Sequence, residues 1–160
     1  MTATPNAIRR CAFSALLIAA ALSLDIFAAP AGEVTHVSGA LMVRKADGSS
    51  KILAPKSKVD SGDLLATAGD TYARVKFADG GEVTLRPNTQ LRIESFVFDQ
   101  TKPATDSALF NLIKGGLRTI TGAIGRLNRT NYRVTTPTAT VGIRGTDHEI
   151  GYFPVPVGPV

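Results

Sequence analysis

The stretch Tyr72–Asn88, YARVKFADGGEVTLRPN, decides how the rest of the chain is read. Ala73, Val75 and Phe77 fall on one parity, and Tyr72, Arg74 and Lys76 on the other. After Ala78-Asp79-Gly80-Gly81 the apolar parity resumes at Val83 and Leu85. Alternation with period two on both sides of an Asp-Gly turn predicts a β-hairpin with one buried face. Arg86-Pro87-Asn88-Thr89 is a second turn, and Leu91 and Ile93 alternate beyond it.

The same grammar extends in both directions. Upstream, two short β-rich runs lie either side of Asp47-Gly48, and turn residues recur at Asp60-Ser61-Gly62-Asp63 and Gly69-Asp70. Downstream, the bulk shifts from Ile93 to Phe96 and Phe98, which predicts a bulge near Glu94-Ser95. Asp99–Ser107 reads as an exposed loop rather than a domain boundary, because neither side alone holds enough apolar residues for a core. Ala108 to Ile113 is a strand or one helical turn, and Gly115-Gly116 is expected to break it. Gly122 and Gly125 keep the next piece irregular or briefly helical; Tyr132 and Val134 start another strand, and Ala139, Val141 and Ile143 alternate near the end. No window supports a long amphipathic helix. Many short strands with frequent corners predict an all-β domain, either a compact β-solenoid or β-helix-like body or, alternatively, a β-sandwich.

Residues 1–31 read as a secretory signal peptide. Arg9 and Arg10 precede the apolar run Cys11–Leu24, and small residues follow at Ala28, Ala29 and Ala31. The run falls short of the ~20 apolar residues that span a bilayer. The chain is therefore expected in the periplasm or secreted, touching a membrane only through this leader or through an uncleaved anchor. Its one cysteine, Cys11, lies inside the leader, so a processed chain has no disulfide, thiol nucleophile or cysteine-ligated metal. Residues 32–150 then form one domain. The apolar, proline-rich residues 151–160 are read as a tail that packs or binds, or as the stub of a longer chain.

The 160-residue chain carries a net charge of +5. Export argues against nucleic acid as the partner and towards an envelope protein or an anionic envelope polymer. From Ser107 to Thr146 no Asp or Glu interrupts Lys114, Arg118, Arg126, Arg129, Arg133 and Arg144. Lys114, Arg118, Arg126, Arg129 and Arg133 form a candidate anion or partner patch, with internal pairing to first-half carboxylates as the alternative. Catalysis finds little support. The histidines are His36 and His148 alone, and in Thr146-Asp147-His148 neighbouring strand residues point to opposite faces. The aspartates near glycines suit turns better than calcium, which needs 6–8 converging oxygens. No cofactor or metal is expected.

The mature stretch as a whole resembles the FecR domain family. The resemblance runs from Gly32-Glu33-Val34 through Gly62-Asp63, the Ala78–Gly81 hairpin, Leu85–Thr89 and Leu112–Arg118. It closes on Thr135–Thr146, which contains Gly142-Ile143-Arg144-Gly145-Thr146 and is the most specific part of the resemblance. The family implies an all-β, solenoid-like domain of the periplasm or cell envelope, with iron-uptake anti-sigma regulators as its best-known members. No anti-sigma segment precedes the apolar run, so the expected role is a stand-alone, non-catalytic binding or signalling module. An exported hydrolase and a sensor related to those regulators are the alternatives. Pro137, Gly142, Arg144, Gly145 and Thr146 are expected to form a structural clasp: proline extends the residue before it, the glycines allow close approach, and the arginine fork bonds carbonyls or a carboxylate.

Overall fold

The Tyr72–Asn88 stretch forms the expected hairpin. In the computed structural model, which describes residues 29–142 and 146–154, β6 (Ala73–Phe77) pairs antiparallel with β7 (Glu82–Leu85). Phe77 N–H donates to the Gly81 carbonyl at 2.8 Å, and Gly80 takes a φ of 80° that a side chain would resist. Ala73, Val75, Phe77, Val83 and Leu85 are buried, while Arg74 and Lys76 are exposed.

Strands add to both sides of this hairpin. β1 (Gly32–Val37) borders β6, and β4 (Lys58–Val59) borders β1. On the other side β7 meets the C-terminal half of β9 (Ser107–Ile120), whose opposite edge carries β12 (Asp147–Tyr152). These strands make a first wing. The second wing runs β3 (Ser50–Leu53), β2 (Leu41–Arg44), β5 (Leu64–Thr67), β8 (Gln90–Val97) and the N-terminal half of β9, then β10 (Tyr132–Thr135) and β11 (Thr140–Gly142). Together they are one 12-stranded, all-β network, a curled open sheet shaped as a half-barrel. Every strand pairing is antiparallel except β9 with β10. The chain crosses between wings repeatedly, and the inward side chains of both wings merge into one core. The Phe77 ring of the first wing lies 5.1 Å from that of Phe96 and 5.0 Å from that of Phe110 on the second, so aromatic packing joins the two wings.

Gly115-Gly116 does not break the segment. β9 is a single 14-residue strand that kinks there, with Gly115 at φ 93°. The strand survives because its backbone stays bonded through the kink. Gly116 N–H donates to Thr89 Oγ1 at 3.0 Å, and that hydroxyl donates back to the Gly116 carbonyl at 2.9 Å. Thr89 belongs to a set of buried threonines at the corners between wings. Thr67 Oγ1 donates to the Arg86 carbonyl at 2.7 Å and accepts from Thr89 N–H at 2.9 Å; Thr71 Oγ1 accepts from Ala40 N–H at 2.9 Å. Strands that change wing leave ladder groups unpaired, and these hydroxyls replace the missing partners.

The expected bulge appears as a register shift between Ile93 and Ser95. The loop after β8 contains a 3-10 turn, Pro103–Thr105, and is tied by buried Asp106, whose carboxylate accepts from Asp99 N–H at 2.7 Å. A short helix, α1 (Ala123–Leu127), follows β9. Buried Asp79 joins the hairpin turn to it, accepting from Gly81 N–H at 2.9 Å and Ile124 N–H at 3.2 Å. β12 runs to Tyr152, so the strand includes the first two residues of the segment read from sequence as a tail.

Candidate functional site

The two wings present chemically different outer faces. Strand register places cross-strand neighbours on the same face, so each face can be read as rows. On the first wing one row runs Lys58, Glu33, Lys76, Glu82, Ile120, Asp147. The next runs Arg74, Thr84, Arg118, Glu149. Opposite charges alternate, and several close into pairs: Lys58 with Glu33, Arg86 Nη2 with Glu149 Oε2 at 2.6 Å, and Arg118 with both oxygens of Asp147. Lys58 and Arg118 hold the Glu33 and Asp147 carboxyls below the ordinary range through their hydrogen bonds. This face largely neutralises itself.

The second wing does not. One row runs Ile52, Met42, Ala66, Gln90. Ile52 is 73% exposed and Met42 50%, side by side on the edge strand β3 and its neighbour. The next row runs Ser50, Arg44, Leu64, Arg92, Asn111, Thr135. Arg133 follows on β10, opposite Leu109. Arg44 and Arg92 form no ion pair or side-chain hydrogen bond with any described residue. Glu94, the carboxylate on these strands, accepts from Asn111 Nδ2 at 3.0 Å. The face is thus apolar along one row and arginine-rich along the next.

A cleft of about 210 Å³ opens beside the arginine row, lined by Arg44, Lys45, Gly48, Gly62, Leu64 and Arg92. Its walls are the turns after β2 and before β5. Lys45, part of the lining, has its Nζ 2.6 Å from Asp60 Oδ2 and 2.7 Å from Asp63 Oδ2; Asp63 is almost wholly buried. Burial draws the Lys45 ammonium down, but the bonds from Asp60 and Asp63 outweigh it and raise its pKa. A second groove, about 300 Å³, lies on the first wing beside Pro30, Lys76 and Phe77 and contains the Glu33–Lys58 pair.

The five cations named from the sequence are all exposed, yet they do not share one face. Arg118 is on the first wing, paired with Asp147, so the internal-pairing alternative applies to it. Its partner comes from the C-terminal strand, however, not from the first half. Lys114 stands at the kink of β9, Arg126 on α1, and Arg129 on the 3-10 turn Arg129–Asn131. Arg133 is on the second wing, its Nε donating to the Thr130 carbonyl at 3.2 Å. Sequence reading missed Met42, Ile52, Arg44 and Arg92. The available signal was Met42 itself, an apolar residue on the polar parity between inward Leu41 and Val43.

Of the closing motif, Arg144 and Gly145 lie outside the described residues. Pro137 is exposed in the turn between β10 and β11, where Thr136 N–H donates to the Ala139 carbonyl at 2.7 Å. Gly142 pairs with Arg133, and a side chain there would meet nothing within 4 Å among the described residues. The Thr146 carbonyl accepts from Thr121 N–H at 2.8 Å. Asp147 and His148 diverge as adjacent strand residues should: Asp147 faces outward to Arg118, whereas both His148 nitrogens are buried without a described partner. Among the described residues no group of histidine, cysteine and carboxylate side chains is arranged to hold a metal, and no helix is long and apolar enough to cross a membrane.

Fold and surface together define an all-β module with one self-neutralised face and one apolar, cationic face. The family model described as "FecR protein" matches residues 63–152. The chain belongs to the FecR family. A solved structure titled "Cell surface anchoring domain" is similar over 39% of this chain and 83% of its own, with 21% identity and a TM-score of 0.38. No curated protein matches the chain.

Proposed function

We propose that the chain is a non-catalytic binding or signalling module of the cell envelope that docks an envelope protein on the outer face of its second wing. FecR membership supports the envelope and regulatory setting. The observation that carries the docking surface is the exposed pair Met42 and Ile52 beside the unpaired Arg44 and Arg92. Apolar residues with an arginine fringe suit a partner whose own surface is apolar and edged by carboxylates. The functional unit is residues 32–150, behind a leader of residues 1–31 that is removed on export to the periplasm or beyond. The antiparallel neighbours favour the sandwich-like alternative over a β-helix, whose stacked rungs would pair in parallel. The divergence of Asp147 from His148 weighs against the hydrolase alternative. The clasp role of Arg144, with Pro137, Gly142, Gly145 and Thr146, stands as a proposal from the motif.

The test is capture of one identified envelope protein by the parent chain and by variants. Ile52→Glu and Met42→Glu should each weaken capture at least tenfold, while Lys76→Glu on the first wing leaves it unchanged. Equal capture by all of them would remove the docking face. Capture only of anionic polymer, lost at raised salt and indifferent to Ile52, would replace the protein partner with the polymer.

A further inference from the structure

We propose that the cleft between Arg44 and Arg92 is a binding site for a phosphoryl group. This goes beyond the docking surface, which rests on the neighbouring Ile52–Met42 row. Arg44 ends β2 and Arg92 lies within β8, and both are in register with Leu64 on the strand between them. They therefore share one face, two strand spacings apart, about 9–10 Å between backbones. Both side chains line the same cleft of about 210 Å³, with Leu64 as part of its floor. They border it from the two strands flanking β5, and neither has a partner among the described residues.

Charge and shape choose the ligand. Lys45 is taken up by Asp60 and Asp63, so it adds no free cation, and the second carboxylate opposes an anion. Two unpaired guanidinium groups outweigh that and leave the cleft one charge positive. A carboxylate presents one bidentate edge, so two arginine forks must share its two oxygens. A tetrahedral phosphoryl group offers several oxygen edges and can accept a fork from each side at once. The turns after β2 and before β5 wall the cleft. They hold through Lys45 N–H to the Ser49 carbonyl at 2.8 Å and Gly62 N–H to the Ile93 carbonyl at 2.6 Å. Gly48 and Gly62, at φ 85° and 88°, allow these tight turns.

The test titrates the purified full-length chain at constant ionic strength with inorganic phosphate, a sugar phosphate, phosphatidylglycerol vesicles, or acetate. Phosphate and sugar phosphate should bind by calorimetry and raise the melting temperature; acetate should do neither. Arg44→Gln with Arg92→Gln should weaken binding at least tenfold while melting like the parent in chloride, because both residues are exposed. Arg126→Gln with Arg129→Gln should bind like the parent. Binding to vesicles alone, lost in the Arg44/Arg92 variant, also supports the site and assigns it to a lipid headgroup. No response to any phosphate, an equal response to acetate, or equal loss in the Arg126/Arg129 variant overturns it. The Ile52 and Met42 variants should keep phosphate binding, so failure of the docking face and failure of this cleft are separable.

Discussion

Thr89 occupies the space a side chain on Gly115 would need. A Cβ built on Gly115 would sit 2.5 Å from Thr89 Cα and 2.9 Å from the Asn88 carbonyl, besides colliding with Thr89 Oγ1. Gly115 also holds φ at 93°. Gly115→Ala therefore meets both a left-handed backbone and backbone atoms that cannot rotate away, and should cost more than about 3 kcal/mol, against the ~1 kcal/mol typical of a point change. Gly69→Ala should melt close to the parent, since a Cβ there meets only Asn88 side-chain atoms, at 3.6 and 3.7 Å. Thermal melting of the two variants checks the contrast; equal losses would contradict the account of the β9 kink.

Thr89→Val probes the same corner from the other side. It keeps the shape and removes the hydroxyl that serves Gly116 N–H, the Gly116 carbonyl and the kink between them. Leaving buried backbone groups unmatched should cost about 1–3 kcal/mol in denaturant unfolding. A loss below a few tenths would mean that the backbone finds another partner.

Asp63 and Asp60 hold the same ammonium but differ in burial. Asp63 is 1% exposed and its carboxylate also accepts from Asp60 N–H at 2.8 Å, whereas the Asp60 side chain is 49% exposed. Asp63→Ala should cost about 3–5 kcal/mol, because Lys45 loses its buried counter-charge and a turn N–H loses its acceptor. Asp60→Ala should cost no more than about 1 kcal/mol. Denaturant melts at pH 7 rank them, and the reverse order would refute the buried role of Asp63.

Period two carried most of the fold into view. The β6–β7 hairpin, the bulge after Ile93 and the strands at Tyr132 and Thr140 follow from alternation and turn residues, because a one-residue slip would turn a core face to solvent. The kink at Gly115 was misread as a break, since glycine pairs signal loops unless a distant residue such as Thr89 keeps the backbone bonded. The candidate surface was less legible. A charge run in sequence says nothing about strand faces, and β9 alone divides Lys114 and Arg118 between the kink and the first wing. Arg44 and Arg92 lie 48 positions apart and meet only through the register of β2, β5 and β8.

Arg144 is proposed as a clasp on the strength of Gly142-Ile143-Arg144-Gly145-Thr146 alone. Arg144→Ala should then cost about 1–3 kcal/mol, Arg144→Lys should recover part of it, and Arg126→Ala and Arg129→Ala should melt like the parent. Unchanged melting with lost partner binding would make Arg144 a contact residue instead.

His148 should give the chain an acid-sensitive stability. Its side chain turns inward from β12 opposite Thr119, and neither ring nitrogen has a described partner. Burial lowers its pKa from the ordinary 6.5, only partly opposed by the neighbouring Asp147 charge. The folded chain therefore holds the imidazole neutral while the unfolded chain still takes up a proton. Stability is fully present above about pH 6.5, falls as pH drops from there towards the lowered folded pKa, and flattens below it. Carboxylates such as Asp147 and Glu33, whose pKa values are lowered from 3.8 and 4.5, lose their contribution only further into acid. His148→Leu removes both unpartnered nitrogens, so it should erase the slope that begins below about pH 6.5 while leaving stability at pH 8 equal or higher. Urea unfolding of the parent and this variant across pH 8 to 5 decides the matter, and an unchanged slope in His148→Leu would place the acid sensitivity elsewhere.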